Sequence, residues 1–146
     1  MAGVYSSKTT GESTMRDLSS QRCGALLVGL GVIAGAFGAH ALKVRLDPAM
    51  LAVFEKAVFY QLIHGLALLS LSSLALTKRS LEMVTRIIVG GVILFSGSLY
   101  VYVLTGVRAW AMVTPVGGSL LILAWFFVFF RVQYQTGDVS EGKESN

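Results

Sequence analysis

Four stretches without a single Asp, Glu, Lys or Arg constrain this chain more than any motif in it. They lie between Arg22 and Lys43 (20 residues), Lys56 and Lys78 (21), Arg86 and Arg108 (21), and Arg108 and Arg131 (22). A bilayer core of about 30 Å is crossed by about 20 apolar residues in a helix. Hydrocarbon offers backbone groups no water to bond, so a crossing segment of this length has to be helical. Only 14% of the 146 residues are charged, against about a quarter in soluble domains. The expectation is an all-α integral membrane four-helix bundle with spans at about 24–42, 57–77, 87–107 and 110–130. The polar segments 1–22 and 132–146 read as disordered tails.

The glycine-rich run "GLGVIAGAFGAHAL" (residues 29–42) admits three readings. Gly29, Gly31 and Ala34 match a loose dinucleotide fingerprint, but that motif has meaning only between a strand and a helix of an α/β unit, for which the chain has no room. Arg22, an apolar run and Ala39-His40-Ala41 resemble an export signal with its cleavage site. The run is long for a signal core, however, and more than twenty residues precede it. The third reading is a packing face. Gly24, Gly31, Gly35, Gly38 and Leu42 fall on one side of a helix, and Gly31 and Gly35 form a G-x-x-x-G pair. Lipid tails are as apolar as leucine, so membrane helices associate by close packing, which small residues permit. Gly31, Gly35 and Gly38 on span one and Gly117 and Gly118 on span four are therefore read as helix-packing residues.

Four segments occur in order: "GAFGAHAL" (35–42), "YQLIHGLALL" (60–69), "LFSGSLYVYVLTG" (94–106) and "TPVGGSLLILAW" (114–125). Together they resemble the transmembrane protein 256 / YgdD family of small four-helix membrane proteins, over roughly residues 23–131. The resemblance implies the four-helix membrane fold. It carries over no catalytic residues, because that family has no assigned function.

Basic residues near the spans set the expected orientation. Lys8, Arg16, Arg22, Lys78, Arg79, Arg86, Arg131 and Lys143 flank one side, against Lys43, Arg45, Lys56 and Arg108 on the other. Eight against four places both termini in the cytoplasm of a bacterial-type plasma membrane. The net charge of +4 is then a topology signal; no basic stripe with interleaved aromatics suggests nucleic acid. Asp47 followed by Pro48 is a helix start, with the carboxylate as N-cap and proline at N1. Residues 48–56 read as a short interfacial helix between spans one and two, or as a simple extension of span two.

With this topology the polar aromatics and both histidines gather in the outer leaflet: His40, Tyr60, Gln61, His64, Tyr100 and Thr114. Tyr60 and His64 share a helical face at i, i+4. An ionisable group inside a membrane is a functional candidate, because leaving it unpaired there is costly. A metal or haem held by His40 and His64 would lack support from Cys, Asp or Glu in the spans. The plainer reading has His64 bonded to Tyr100, Gln61 or a backbone carbonyl, holding the bundle together. Cys23 is the sole cysteine, so no disulfide forms within the chain. No carboxylate pair lies in a span, and the serines have no in-span base apart from His64. The expectation is a non-enzymatic membrane protein without cofactor, its partners being the bilayer and a second copy or other membrane proteins. The alternative is a small oligomeric transporter or channel built on the His/Tyr cluster.

Overall fold

The computed structural model describes the backbone of residues 8–74 and 76–141, and the side chains of residues 19–74 and 76–131. Among the described residues all regular structure is helical: α1 (Lys8–Phe37), α2 (Pro48–Leu71), α3 (Lys78–Val92), α4 (Ser98–Thr105) and α5 (Thr114–Glu141). A π-helical turn, Gly38–Leu42, closes α1, and a second, Ile93–Gly97, joins α3 to α4. A 3-10 turn, Arg108–Met112, leads into α5. Among the described residues four segments are long and apolar enough to cross a bilayer: Ser19–Leu42, Pro48–Leu71, Lys78–Thr105 and Arg108–Arg131.

The exposed surface explains why a membrane is required. Ile33 is 67% exposed and Phe130 64%, with Leu26, Phe59, Leu104, Ile122 and Phe126 also facing outward. An apolar surface on every span has no stable solution in water, whereas lipid covers it at no cost. Inside, two apolar clusters stack along the bundle. Leu68, Leu71, Leu81, Val84, Ile88, Val92, Leu121, Ala124 and Val128 unite spans two, three and four. Leu42, Phe54, Val58 and Val103 form the second cluster, toward the ends of spans one and three.

The local chemistry of the helix ends fixes the span limits. Asp47 Oδ1 accepts from the backbone N–H of Ala49 (2.9 Å) and Met50 (3.0 Å), with Pro48 at the first helical position. Two of the orphan donors at the start of a helix are thereby satisfied. Thr77 Oγ1 does the same for Ser80 N–H at the start of α3. Gly106, at φ 70°, ends α4 in the left-handed region, and its N–H bonds Tyr102 O. A residue with a Cβ is strained there.

Three expectations are corrected. Residues 48–56 are not a separate interfacial helix, because α2 runs without a break from Pro48. Span two ends at Leu71 rather than near 77, since Ser73 N–H and Leu74 N–H turn back onto Ser70 O and Leu71 O. The first span is packed into the bundle already at Ser20, inside the segment read as a polar tail. Ser20 is 1% exposed, and its hydroxyl donates to Leu68 O (3.1 Å) while accepting from Thr85 Oγ1 (3.2 Å). Helical backbone continues outward to Lys8 and Glu141, as extension of a nucleated helix adds one bond per residue fixed. The expectation of disorder for residues 1–7 and 142–146 lies outside the described residues.

The glycines divide by what a Cβ would meet. At Gly24 it would lie 2.7 Å from Gly65 O, at Gly31 2.7 Å from Leu62 Cδ2, and at Gly38 2.9 Å from the Phe54 ring. Spans one and two are drawn together there. Gly35 has room, with Val58 Cγ1 at 3.4 Å. On the other pair of spans, Gly91 and Gly117 make the close approach, whereas Gly118 meets only the Phe95 ring at 3.5 Å.

A candidate polar core between two apolar clusters

α2 carries the chain's central polar groups because of where its residues fall between the clusters. Phe54 and Val58 enter one cluster and Leu68 and Leu71 the other. Gln61 and His64 lie between them, 7% and 4% exposed. Buried polar groups in lipid have to be matched by protein partners, and the neighbouring spans supply them.

Gln61 bonds two spans at once. Its Nε2 donates to Leu27 O on span one (2.9 Å), and its Oε1 accepts from the Tyr100 hydroxyl on span three (2.9 Å). The Tyr100 ring also packs on Phe54, centroids 5.0 Å apart. His64 completes a third connection. Its Nε2 accepts from the indole N–H of Trp125 on span four (3.2 Å), and Nδ1 lies 2.8 Å from Tyr60 O. An indole N–H is only a donor and a carbonyl only an acceptor. The pairing therefore fixes one neutral tautomer, with the proton on Nδ1. Tyr60 stacks over the His64 ring at 6.0 Å and meets Phe95 at 4.5 Å.

A fourth tie joins spans three and four. Ser98 Oγ donates to Phe95 O (3.0 Å) and lies 2.8 Å from Thr114 Oγ1. A serine hydroxyl has one proton, so Thr114 is the donor in the second bond. Ser96, within the π turn of span three, is 1% exposed, and its Oγ has no hydrogen-bond partner.

The six residues expected to form one outer-leaflet cluster are thus placed in three groups and one outlier. Gln61 and Tyr100 are together, His64 sits with Tyr60 and Trp125, and Thr114 pairs with Ser98. His40 is exposed in the π turn that ends span one and takes no part in these ties. Because α2 begins at Pro48, these groups lie further along their helix than a span starting at 57 places them. Gln61 lies 13 residues into a 24-residue helix, about 20 Å from its start at 1.5 Å per residue. That is near mid-membrane. His64 lies about one turn further along α2, where it meets the backbone carbonyl of Tyr60 and, on span four, the indole of Trp125.

Trp125, Ser20, Thr85 and Ser98 were not singled out from sequence. A tryptophan six residues before Arg131 reads as an interfacial anchor. Trp125 is in fact both: 42% exposed to the lipid side, with its N–H turned inward. Its spacing from Leu121, Ala124 and Val128, which are buried, is the signal that places it at the edge of the packed face.

The His64–Trp125 tie yields a direct test. His64→Leu and Trp125→Phe each remove one interhelical bond and are expected to cost about 0.5–1.5 kcal/mol. His64→Gln, which keeps a donor and an acceptor, should cost less than His64→Leu. Unfolding by denaturing detergent measures all three. Equal losses for Gln and Leu would show that the ring's shape, not its hydrogen bonds, matters.

Comparison with known proteins places this architecture. A family model described as "Protein of unknown function (DUF423)" matches residues 34–118, a stretch that contains His40, Tyr60, Gln61, His64, Tyr100 and Thr114. A UPF0382 membrane protein of Staphylococcus aureus is 42% identical over 106 residues, 72% of this chain and 87% of the relative. Its counterpart in Staphylococcus saprophyticus is 41% identical over 72% of this chain and 88% of the relative. The Staphylococcus haemolyticus protein is 40% identical, with 72% and 87% covered. No solved structure matches the chain. A family model over more than half the sequence and these relatives over most of their own length agree with the four apolar helices, and the chain belongs to the DUF423 / UPF0382 family of membrane proteins.

Proposed function

We propose that the chain is a non-enzymatic, structural or accessory component of a bacterial-type plasma membrane, with both termini in the cytoplasm. The observation that carries this reading is the self-sufficiency of the polar core. Both ring nitrogens of His64 and both ends of the Gln61 amide are engaged by the protein itself. Groups that hold substrate or transfer protons need a free lone pair or proton aimed at a cavity, whereas these groups are engaged by neighbouring spans and by the backbone of α2 itself. In this role the protein works by presenting a rigid bundle to lipid and to other membrane proteins, a second copy included. Its finer kinship within small four-helix membrane proteins is with the transmembrane protein 256 / YgdD family, supported by the four ordered segments quoted above.

A transporter or channel is the second reading. It is favoured by one observation: span three is interrupted by a π turn that carries the unpaired hydroxyl of Ser96. Interrupted helices and unmatched polar groups at membrane depth line pathways in many transporters.

The orientation rests on the eight-to-four distribution of basic residues. Reporter fusions after Asn146 and in the loop at residues 43–47 are expected to report opposite sides, with the C-terminal fusion cytoplasmic. The reverse pattern would overturn the orientation. For the role, purified protein in proteoliposomes should show no ion or solute flux above that of empty vesicles. Flux abolished by Ser96→Ala would establish the transporter reading instead.

A further inference from the structure

α2 carries two seams on opposite faces. Phe54, Ala57, Gln61, His64, Leu68 and Leu71 are buried in the bundle. Ala52, Lys56, Phe59, Ile63, Leu66 and Ser70 alternate with them and are exposed. Steps of four, three, four, three and four separate the exposed six. That is the heptad spacing which keeps one helix facing another along its length. Phe59 is 58% exposed and Leu66 53%. A wholly apolar face of this kind is covered by lipid as well as by protein.

Two charges break that indifference. Glu55 and Lys56 are exposed, and neither has an ion-pair partner among the described residues. They lie seven and eight residues past Pro48, about 10–12 Å along the helix. Acyl chains give a carboxylate no partner, so leaving it there is costly unless a cation meets it. The two cannot meet within one chain, because consecutive residues of a helix do not face each other. A twofold axis along the membrane normal removes the difficulty. Two copies inserted the same way can share that axis, and it makes every contact reciprocal. With Lys56 on the seam, Glu55 holds the flanking position just before it. A seam side chain enters a hole formed by four residues of the facing helix, and flanking positions supply the ion pairs between helices. Each Lys56 ammonium then meets the Glu55 carboxylate of the other copy, twice per dimer.

We infer that the exposed face of α2 is the interface of a parallel homodimer. Phe59, Ile63 and Leu66 pack across the axis, and two Glu55–Lys56 pairs close the end near Pro48. The small side chains of Ala52 and Ser70 let the backbones approach at either end. The heptad spacing implies a left-handed crossing of about 20°. The inference rests on the accessory-component reading only in taking a second copy as partner. Solute flux in proteoliposomes would overturn that reading and leave the dimer standing, whereas a monomer would overturn the dimer alone.

Förster transfer between full-length chains labelled at the C-terminus, in liposomes at a series of protein-to-lipid ratios, measures the association. The parent chain is expected to dimerise. Glu55→Lys and Lys56→Glu should each weaken dimerisation by about tenfold, since each removes two pairs worth up to about fivefold apiece and sets like charges together. An equimolar mixture of the two variants should regain the parental transfer between unlike chains, because one chain then offers two cations to the other's two carboxylates. Phe59→Ala should also weaken the dimer. Phe126→Ala, on the exposed face of span four, is the control and should leave transfer unchanged. All four side chains are exposed, so a thermal melt in mild detergent should show the variants folded. Absence of transfer in the parent would leave the face to lipid and overturn the dimer. Transfer indifferent to both charge variants, or a mixture no better than either variant alone, would overturn the pairing. Loss on Phe126→Ala with the α2 variants at parental values would do so too, by giving the contact to span four.

Discussion

Gly117→Ala is expected to destabilise the bundle by about 1–3 kcal/mol, the range for overpacking a close contact. A Cβ at this position would lie 2.8 Å from the carbonyl carbon of Leu94 and 2.8 Å from Phe95 Cα. Both are backbone atoms in the π turn of span three, and backbone cannot step aside by changing rotamer. Relief requires span four to back away, which would strain the Ser98–Thr114 bond at 2.8 Å and loosen Leu121 over Gly91. The penalty outweighs the helix-propensity gain of roughly 0.5–1 kcal/mol that Gly→Ala brings. Gly118→Ala is the control. Its Cβ would touch only the edge of the Phe95 ring at 3.5 Å, and its stability should stay within about 0.5 kcal/mol of the parent. Denaturing-detergent titration of the two variants side by side decides the matter. Equal midpoints would mean that spans three and four separate more easily than their contact suggests.

The glycines also show how far the sequence could be read. Helical periodicity groups Gly24, Gly31 and Gly38 on one face, because a face is set by the 3.6-residue repeat alone; that the face meets span two is seen only in the structure. Gly35 shares that face yet has ordinary room beside Val58. Which glycine is tight depends on the side chain opposite, and one helix's sequence carries no record of it. Gly65 is the lone glycine of α2, and Gly91 has no glycine three or four residues away, so no stripe announces either. They are nonetheless among the closest approaches, with Val28 Cγ2 2.9 Å and Leu121 Cδ2 2.6 Å from a Cβ.

Charge gaps located the spans because lipid excludes charge, and they misjudged the limits wherever a span continues past the hydrocarbon. The first turns of α3 carry Lys78, Arg79, Glu82 and Arg86, yet Leu81, Val84 and Thr85 on the opposite face are buried. Amphipathic extensions of this kind are hidden from a count of uncharged residues. The same count bears on the polar core. Measuring from Lys56 puts Gln61 and His64 near the start of their span, whereas the Asp47 cap starts α2 nine residues earlier. The residue types were legible as a group of polar side chains in apolar surroundings; their partners, Leu27 O and Trp125, belong to spans one and four and could not be.

Gln61→Leu is expected to be the costliest single change in the polar core, about 1–3 kcal/mol, because it leaves the half-buried Tyr100 hydroxyl without its acceptor. The two bonds it breaks are not equal. Leu27 O belongs to a helix whose carbonyls already accept from residue i+4, so losing the Gln61 donor costs it little. The Tyr100 hydroxyl has Gln61 Oε1 as its acceptor at 2.9 Å, and lipid offers no replacement. The double variant Gln61→Leu with Tyr100→Phe removes both partners of that bond, and matched apolar replacement can be nearly neutral. The double variant should accordingly be more stable than Gln61→Leu alone, a reversal that simple addition of two losses does not produce. Gln61→Glu separates glue from a proton-handling role. A carboxylate near mid-membrane is expensive, so a structural Gln61 predicts loss of stability on Gln61→Glu that deepens as pH rises and the new acid ionises. If the double variant proves less stable than either single one, Gln61 and Tyr100 contribute independently, and the bond between them is not what holds spans two and three in register.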